Sequence, residues 1–138
     1  MPAYTAGHIL LLMTLTTIRR SRRVLAAVII LLGLIHISFA FPVVTLNAAV
    51  LWFIGTGCML VFSGFLNLAV VQYCAKSLIG YLTLICNIIC LGLFILSLWV
   101  MKGPQVYIGI AMFFVATVIL IVALILMETR NRNYPDED

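Results

Sequence analysis

The chain has 138 residues, 65% of them hydrophobic and only 9% charged, with a mean hydropathy of +1.27. Soluble domains carry about a quarter charged residues, so this composition excludes an ordinary soluble domain and leaves no room for a soluble catalytic or receptor head. The formal net charge of +4 reads as a topology signal. A nucleic-acid role fails on context, because the one basic cluster lies beside an apolar stretch, where it serves as an anchor or anionic-lipid contact.

Residues Ala6 to Ile18 are mostly apolar but too few to span a bilayer, and Thr14, Thr16 and Thr17 make the run more polar toward its end. A short N-terminal helix lying in the membrane interface is the expectation, with Met13 an alternative start of the chain. The cluster Arg19, Arg20, Arg22 and Arg23 follows and is expected to anchor the protein at the membrane surface. A signal-peptide reading, with this cluster as n-region and Ser38-Phe39-Ala40 as cleavage site, matches the pattern of small residues. Pro42 just after the cut and the further apolar stretches argue against it, so an uncleaved first span is the working expectation.

Four apolar stretches without Asp, Glu, Lys or Arg then fill the chain: residues 24–41, 48–71, 78–101 and 105–127. A hydrocarbon core ~30 Å thick needs roughly 20 apolar residues at 1.5 Å rise each. The predicted fold is all-α: a polytopic membrane protein forming an antiparallel four-helix transmembrane bundle, treated as a single membrane domain over residues 1–138. The short connections favour antiparallel neighbours. Positive residues stay on the cytoplasmic side. The Arg cluster, Lys76, Arg130 and Arg132 then lie inside and Lys102 outside, which puts both termini in the cytoplasm of a bacterial-type inner membrane. The tail from Tyr134 to Asp138 reads as a solvated acidic end.

Each stretch carries small and polar residues at spacings of three and four, which keeps them on one helix face. In the first these are Ala26, Ile29, Gly33, His36 and Ala40. In the second they are Phe53, Thr56 with Gly57, Leu60, Ser63 with Gly64, and Asn67. The third has Gly80, Thr83, Asn87, Cys90, Phe94 and Ser97, and the fourth Gly109, Met112, Ala116, Ile119 and Ala123. Within lipid, helices associate through close backbone approach of small residues and through interhelical hydrogen bonds, so these faces are expected to turn inward. Counted from the inner boundary at ~1.5 Å per residue, Asn67 and Thr83 lie ~7 Å deep, Ser63 and Asn87 ~13 Å, and His36, Cys58 and Cys90 ~19 Å. Trp52, Trp99, Tyr81 and Tyr107 fall near span ends, where amphipathic rings favour the interface. A weak internal match at an offset of 59 residues pairs Gly33 with Gly92 and suggests a parallel repeat, which would shift Asn87 and Cys90 toward the edge of the core.

The candidate binding or polar-core residues are His36, Thr56, Ser63, Asn67, Thr83, Asn87 and Cys90. His36 is the mid-span ionisable residue, and such a group is a functional-site hypothesis by default; the alternative is a neutral ring hydrogen-bonded to Thr56 or Ser63. His36, Cys58 and Cys90 are soft ligand types at a shared depth, but no short-spacing metal motif is present, and His8 lies too far away to complete a haem pair. No metal site or cofactor is expected. The cysteines form no disulfide framework, and Cys86 and Cys90, four apart on one helix, would strain to join. There is no Ser-His-acid set, no paired carboxylates and no Gly-rich phosphate loop. The length suits the small multidrug transporters, but proton-coupled export of that kind depends on an acidic residue in the first span, and none is present. Subtraction leaves a non-enzymatic accessory or interaction subunit, or a binder of an apolar molecule or lipid. The alternatives are a small homo-oligomeric transporter or channel, and a membrane enzyme or redox protein using His36. The expected partners are the lipid bilayer and another membrane protein or a second copy of the chain.

Overall fold

The computed structural model describes residues 2–41, 45, 47–73 and 77–133, with side chains described at 13–41, 45, 47–48, 50–72 and 77–129. All regular structure among them is helical: α1 (Pro2–Ser38), α2 (Ala48–Tyr73), α3 (Leu78–Ser97) and α4 (Pro104–Asn133). Each helix is long and apolar enough to cross a membrane, over Met13–Ser38, Val50–Gln72, Leu78–Ser97 and Pro104–Thr129. The expected positions of Cys74 and Lys76 in an inside loop and the reading of the acidic tail lie outside the described residues, as does the His8 side chain.

The first helix differs from expectation. In place of a separate N-terminal helix ending at the Arg cluster, α1 runs unbroken through it. Arginine is a good helix former, and nothing between Ala6 and Ser38 interrupts the backbone except Gly7 and Gly33, which helices tolerate. The helix stops at Ser38, short of Phe41, and α3 stops at Ser97, where Leu98 to Val100 form a turn bonded back to Ile95, Leu96 and Ser97. Local chemistry sets the starts. Asn47 Oδ1 accepts from the Val50 amide at 3.0 Å, an N-cap bond that satisfies one of the free donors at the start of α2. Pro104 opens α4 at the position where its missing N–H costs nothing.

Contacts ascend one helix as they descend the next. Arg19 meets Val71, Gly64 meets Ala26 and Ile30, and Gly33 meets Gly57 and Val61. The same reversal relates α2 to α3, where Asn67 and Ser63 meet Asn87 and Leu66 meets Thr83. The helices close a ring in which α1 packs on α2, α2 on α3, α3 on α4 and α4 on α1. The α1–α2 seam is the tightest. A Cβ at Gly33 would stand 2.7 Å from the Gly57 carbonyl oxygen, and one at Gly57 would stand 3.0 Å from the Gly33 carbonyl oxygen and collide with Ile37. Such close approach is what lets helices associate in lipid, where burying an apolar side chain gains little.

All four helices supply the central layer: Ile29, Leu60, Cys90, Phe113 and Ala116. Phe94 covers Gly109 and stacks at 5.7 Å on Phe113, joining α3 to α4. A second cluster centres on Val70 and Leu120. The expected inward faces of α1, α2 and α3 are the buried or half-buried ones. On α4 the core includes Val106, Phe113, Thr117 and Leu120 beside the expected Gly109, Ala116 and Ala123. That helix is apolar all round, so its sequence alone does not separate the whole of the inward face from the rest. The 59-residue repeat does not describe the packing: Gly33 is buried against α2, whereas a Cβ at Gly92 would meet open space, and Asn87 and Cys90 are fully inside. Trp52, Trp99, Tyr81 and Tyr107 are all exposed near helix ends.

Candidate functional site

The polar residues singled out in the sequence divide into three groups. The first is a closed cluster between α2 and α3. Asn67 Nδ2 donates to Asn87 Oδ1 at 2.9 Å, and Asn87 Nδ2 donates back to Asn67 Oδ1 at 3.1 Å. Asn87 Oδ1 also accepts from the Ser63 hydroxyl at 3.4 Å, and Asn67 Nδ2 reaches the Ser63 carbonyl at 2.9 Å. The Thr83 hydroxyl donates to the Ile79 carbonyl at 2.7 Å, with the Leu66 carbonyl across the interface at 3.4 Å. All four side chains are buried. The cluster spans both of the depth tiers expected for these residues, because Asn87 is long enough to reach one turn along α2. Cys58, Cys86 and Cys90 are free thiols.

The second group is His36. Its imidazole lies 3.7 Å from the Phe53 ring, centroid to centroid, with the planes 20° apart. Thr56 and Ser63 do not hold it: the Thr56 hydroxyl donates to the Trp52 carbonyl at 2.9 Å, and Ser63 belongs to the asparagine cluster. His36 is half-buried at the edge of the α1–α2 seam rather than at the centre of the bundle. Among the described residues, no three His, Cys, Asp or Glu side chains are grouped to hold a metal ion.

The third group comprises two clefts open to the side. One, of about 440 Å³, lies between α2 and α3 and is lined by Trp52, Gly55, Thr56, Met59, Leu93, Phe94 and Ser97. A Cβ at Gly55 would have nothing within 4 Å, so this glycine forms an open floor. The Thr56 and Ser97 hydroxyls donate to carbonyls of their own helices, which satisfies them inside an apolar wall and leaves their oxygens able to accept. The other cleft lies at the opposite end, where Arg19 and Arg22 turn toward the ends of α2 and α4. All four arginines were expected at the membrane surface. Arg19, Arg20 and Arg23 are exposed, but Arg22 is only 7% exposed and packs within the bundle. The signal was present in the sequence: Arg22 and Arg19 continue the Ala26, Ile29, Gly33 stripe upstream at the same spacings.

No family model, curated protein or solved structure matches this chain. Four helices long and apolar enough to cross a membrane are compatible with a small integral membrane protein.

Proposed function

We propose that the protein is a non-enzymatic integral membrane protein that takes a membrane lipid or another apolar molecule in the cleft between α2 and α3. One observation carries this reading: Ser63, Asn67, Thr83 and Asn87 are hydrogen-bonded within the bundle, while the cleft floored by Gly55 opens sideways with an apolar lining and two hydroxyls. Buried polar groups that pair fully act as interhelical glue, and they offer neither a water-filled path nor a reactive centre. The cleft suits a hydrocarbon chain, with Thr56 and Ser97 accepting from a hydroxyl or amide on the same molecule. The positive-inside rule supports cytoplasmic termini in an inner membrane.

Native mass spectrometry of protein released from mild detergent tests the reading, with wild type beside Gly55→Leu and His36→Ala. Gly55→Leu fills the cleft without meeting any neighbouring atom at Cβ, so it should lose a retained apolar ligand while keeping its melting temperature. Retention unchanged in Gly55→Leu rejects the cleft. A bound mass lost in His36→Ala alone moves the site to His36 and favours the redox or metal reading. Co-release of a second membrane protein with a bare chain favours the accessory-subunit reading.

A further inference from the structure

A separate feature lies at the other end of the bundle. Arg22 is buried among α1, α2 and α4, and its Nη2 has no hydrogen-bond partner among the described residues. A guanidinium stays charged under all ordinary conditions, so burying it without a partner is costly and calls for an anion. Three residues earlier on the same face, Arg19 gives its Nε and Nη2 to the Val71 carbonyl at 3.2 and 3.0 Å. That pair of bonds caps the C-terminal end of α2 and fixes the Arg19 plane. A guanidinium has five N–H donors, so Arg19 keeps donors to spare. Both arginines line one cavity of about 370 Å³, whose other walls include Leu15, Ile18, Val70, Ala123 and Met127, and none of its lining residues is acidic.

We propose that this cavity is a phosphate-binding site, in which Arg22 and Arg19 hold the phosphate group of an anionic molecule. Two arginines that line one cavity match a phosphate, whose oxygens accept N–H···O bonds from guanidinium groups. The cavity is larger than a phosphate needs, and apart from Thr16 and Gln72 its remaining wall is apolar. It lies level with the ends of α2 and α4, where the headgroup layer would meet the bundle, so an anionic lipid is the first source to test and a free phosphate the second. Arg20 and Arg23, equal in charge but exposed on other faces, take no part. The site shares no lining residue with the α2–α3 cleft, and Gly55→Leu leaves it intact.

The full-length protein is placed in nanodiscs of phosphatidylcholine, alone or mixed with phosphatidylglycerol, and retained lipid is read by native mass spectrometry. Wild type and Arg23→Gln should retain phosphatidylglycerol. Arg22→Gln should bind it about tenfold more weakly or not at all, and Arg19→Gln should fall between, as expected for loss of one fork of a paired site. In detergent free of phospholipid and phosphate, Arg22→Gln should melt no lower than wild type, because the substitution removes a buried guanidinium whose Nη2 has no hydrogen-bond partner among the described residues. A rise in wild-type melting temperature on adding inorganic phosphate, absent in Arg22→Gln, with no preference for phosphatidylglycerol, assigns the site to a soluble phosphate. Equal weakening in Arg22→Gln and Arg23→Gln would mean diffuse surface charge and overturn the proposal, as would a failure of both lipid and phosphate to bind. Should Arg22→Gln not fold, Arg19→Gln against Arg23→Gln makes the same comparison.

Discussion

Asn67 and Asn87 form a reciprocal amide pair across the α2–α3 interface, each side chain donating to the other's oxygen at 2.9 and 3.1 Å. Ser63 closes the arrangement by donating to the oxygen of Asn87. The pair sits inside the bundle with no exposed edge, so its strength depends on both members.

Replacing Asn87 with Leu leaves the Asn67 amide half-satisfied in an apolar interior. The expected cost is about 1–3 kcal/mol of bundle stability. The double variant Asn67→Leu/Asn87→Leu should recover part of that loss, because no orphan remains. Denaturation in detergent, arranged as a double-mutant cycle, measures the coupling. A coupling energy near zero would mean that the pair contributes nothing to helix association.

At the α1–α2 seam, Gly33→Ala places a methyl group 2.7 Å from the Gly57 carbonyl oxygen, and backbone atoms cannot yield cheaply. Overpacking of this kind costs about 1–3 kcal/mol. Gly92→Ala, where a Cβ meets nothing, should instead gain up to about 1 kcal/mol from helix propensity. Thermal melts of the two variants should therefore move in opposite directions.

Cysteines placed at Ser63, Asn67 and Thr56 in a background without native cysteines separate a closed interior from a pathway. Ser63 and Asn67 are buried and bonded, so Ser63→Cys and Asn67→Cys should resist a polar thiol reagent in the folded protein. Thr56 lines the lateral cleft, so Thr56→Cys should react with a membrane-permeant reagent and be protected by a bound apolar ligand. Rapid labelling of Ser63→Cys and Asn67→Cys by the polar reagent would reinstate the transporter reading.

His36 stacks on Phe53 at 3.7 Å. His36→Phe keeps an aromatic ring in that contact and should hold its melting temperature close to wild type. His36→Ala forfeits the stacking, worth about 0.5–1.5 kcal/mol. Equal destabilisation by both substitutions would show that the imidazole nitrogens matter, and would return His36 to the list of ligand groups.

The amino-acid sequence by itself determined the four helices and which face of the first three turns inward. Run length against bilayer thickness and the spacing of Ala26, Gly33, Ser63, Asn67, Thr83 and Asn87 are local properties of one helix, readable without its neighbours. Tertiary structure alone decided who meets whom. Asn87 pairs with Asn67 rather than only with Ser63 because the register of α2 against α3 is set by packing along both helices. Phe113 and Leu120 enter the core because α4, apolar on every side, has no inward face until its neighbours choose one. The four arginines look alike in a basic run, yet Arg20 and Arg23 face outward while Arg22 is buried. The difference follows from continuing α1 unbroken past the ends of α2 and α4, so that a charge in line with Ala26 and Ile29 is carried into the bundle.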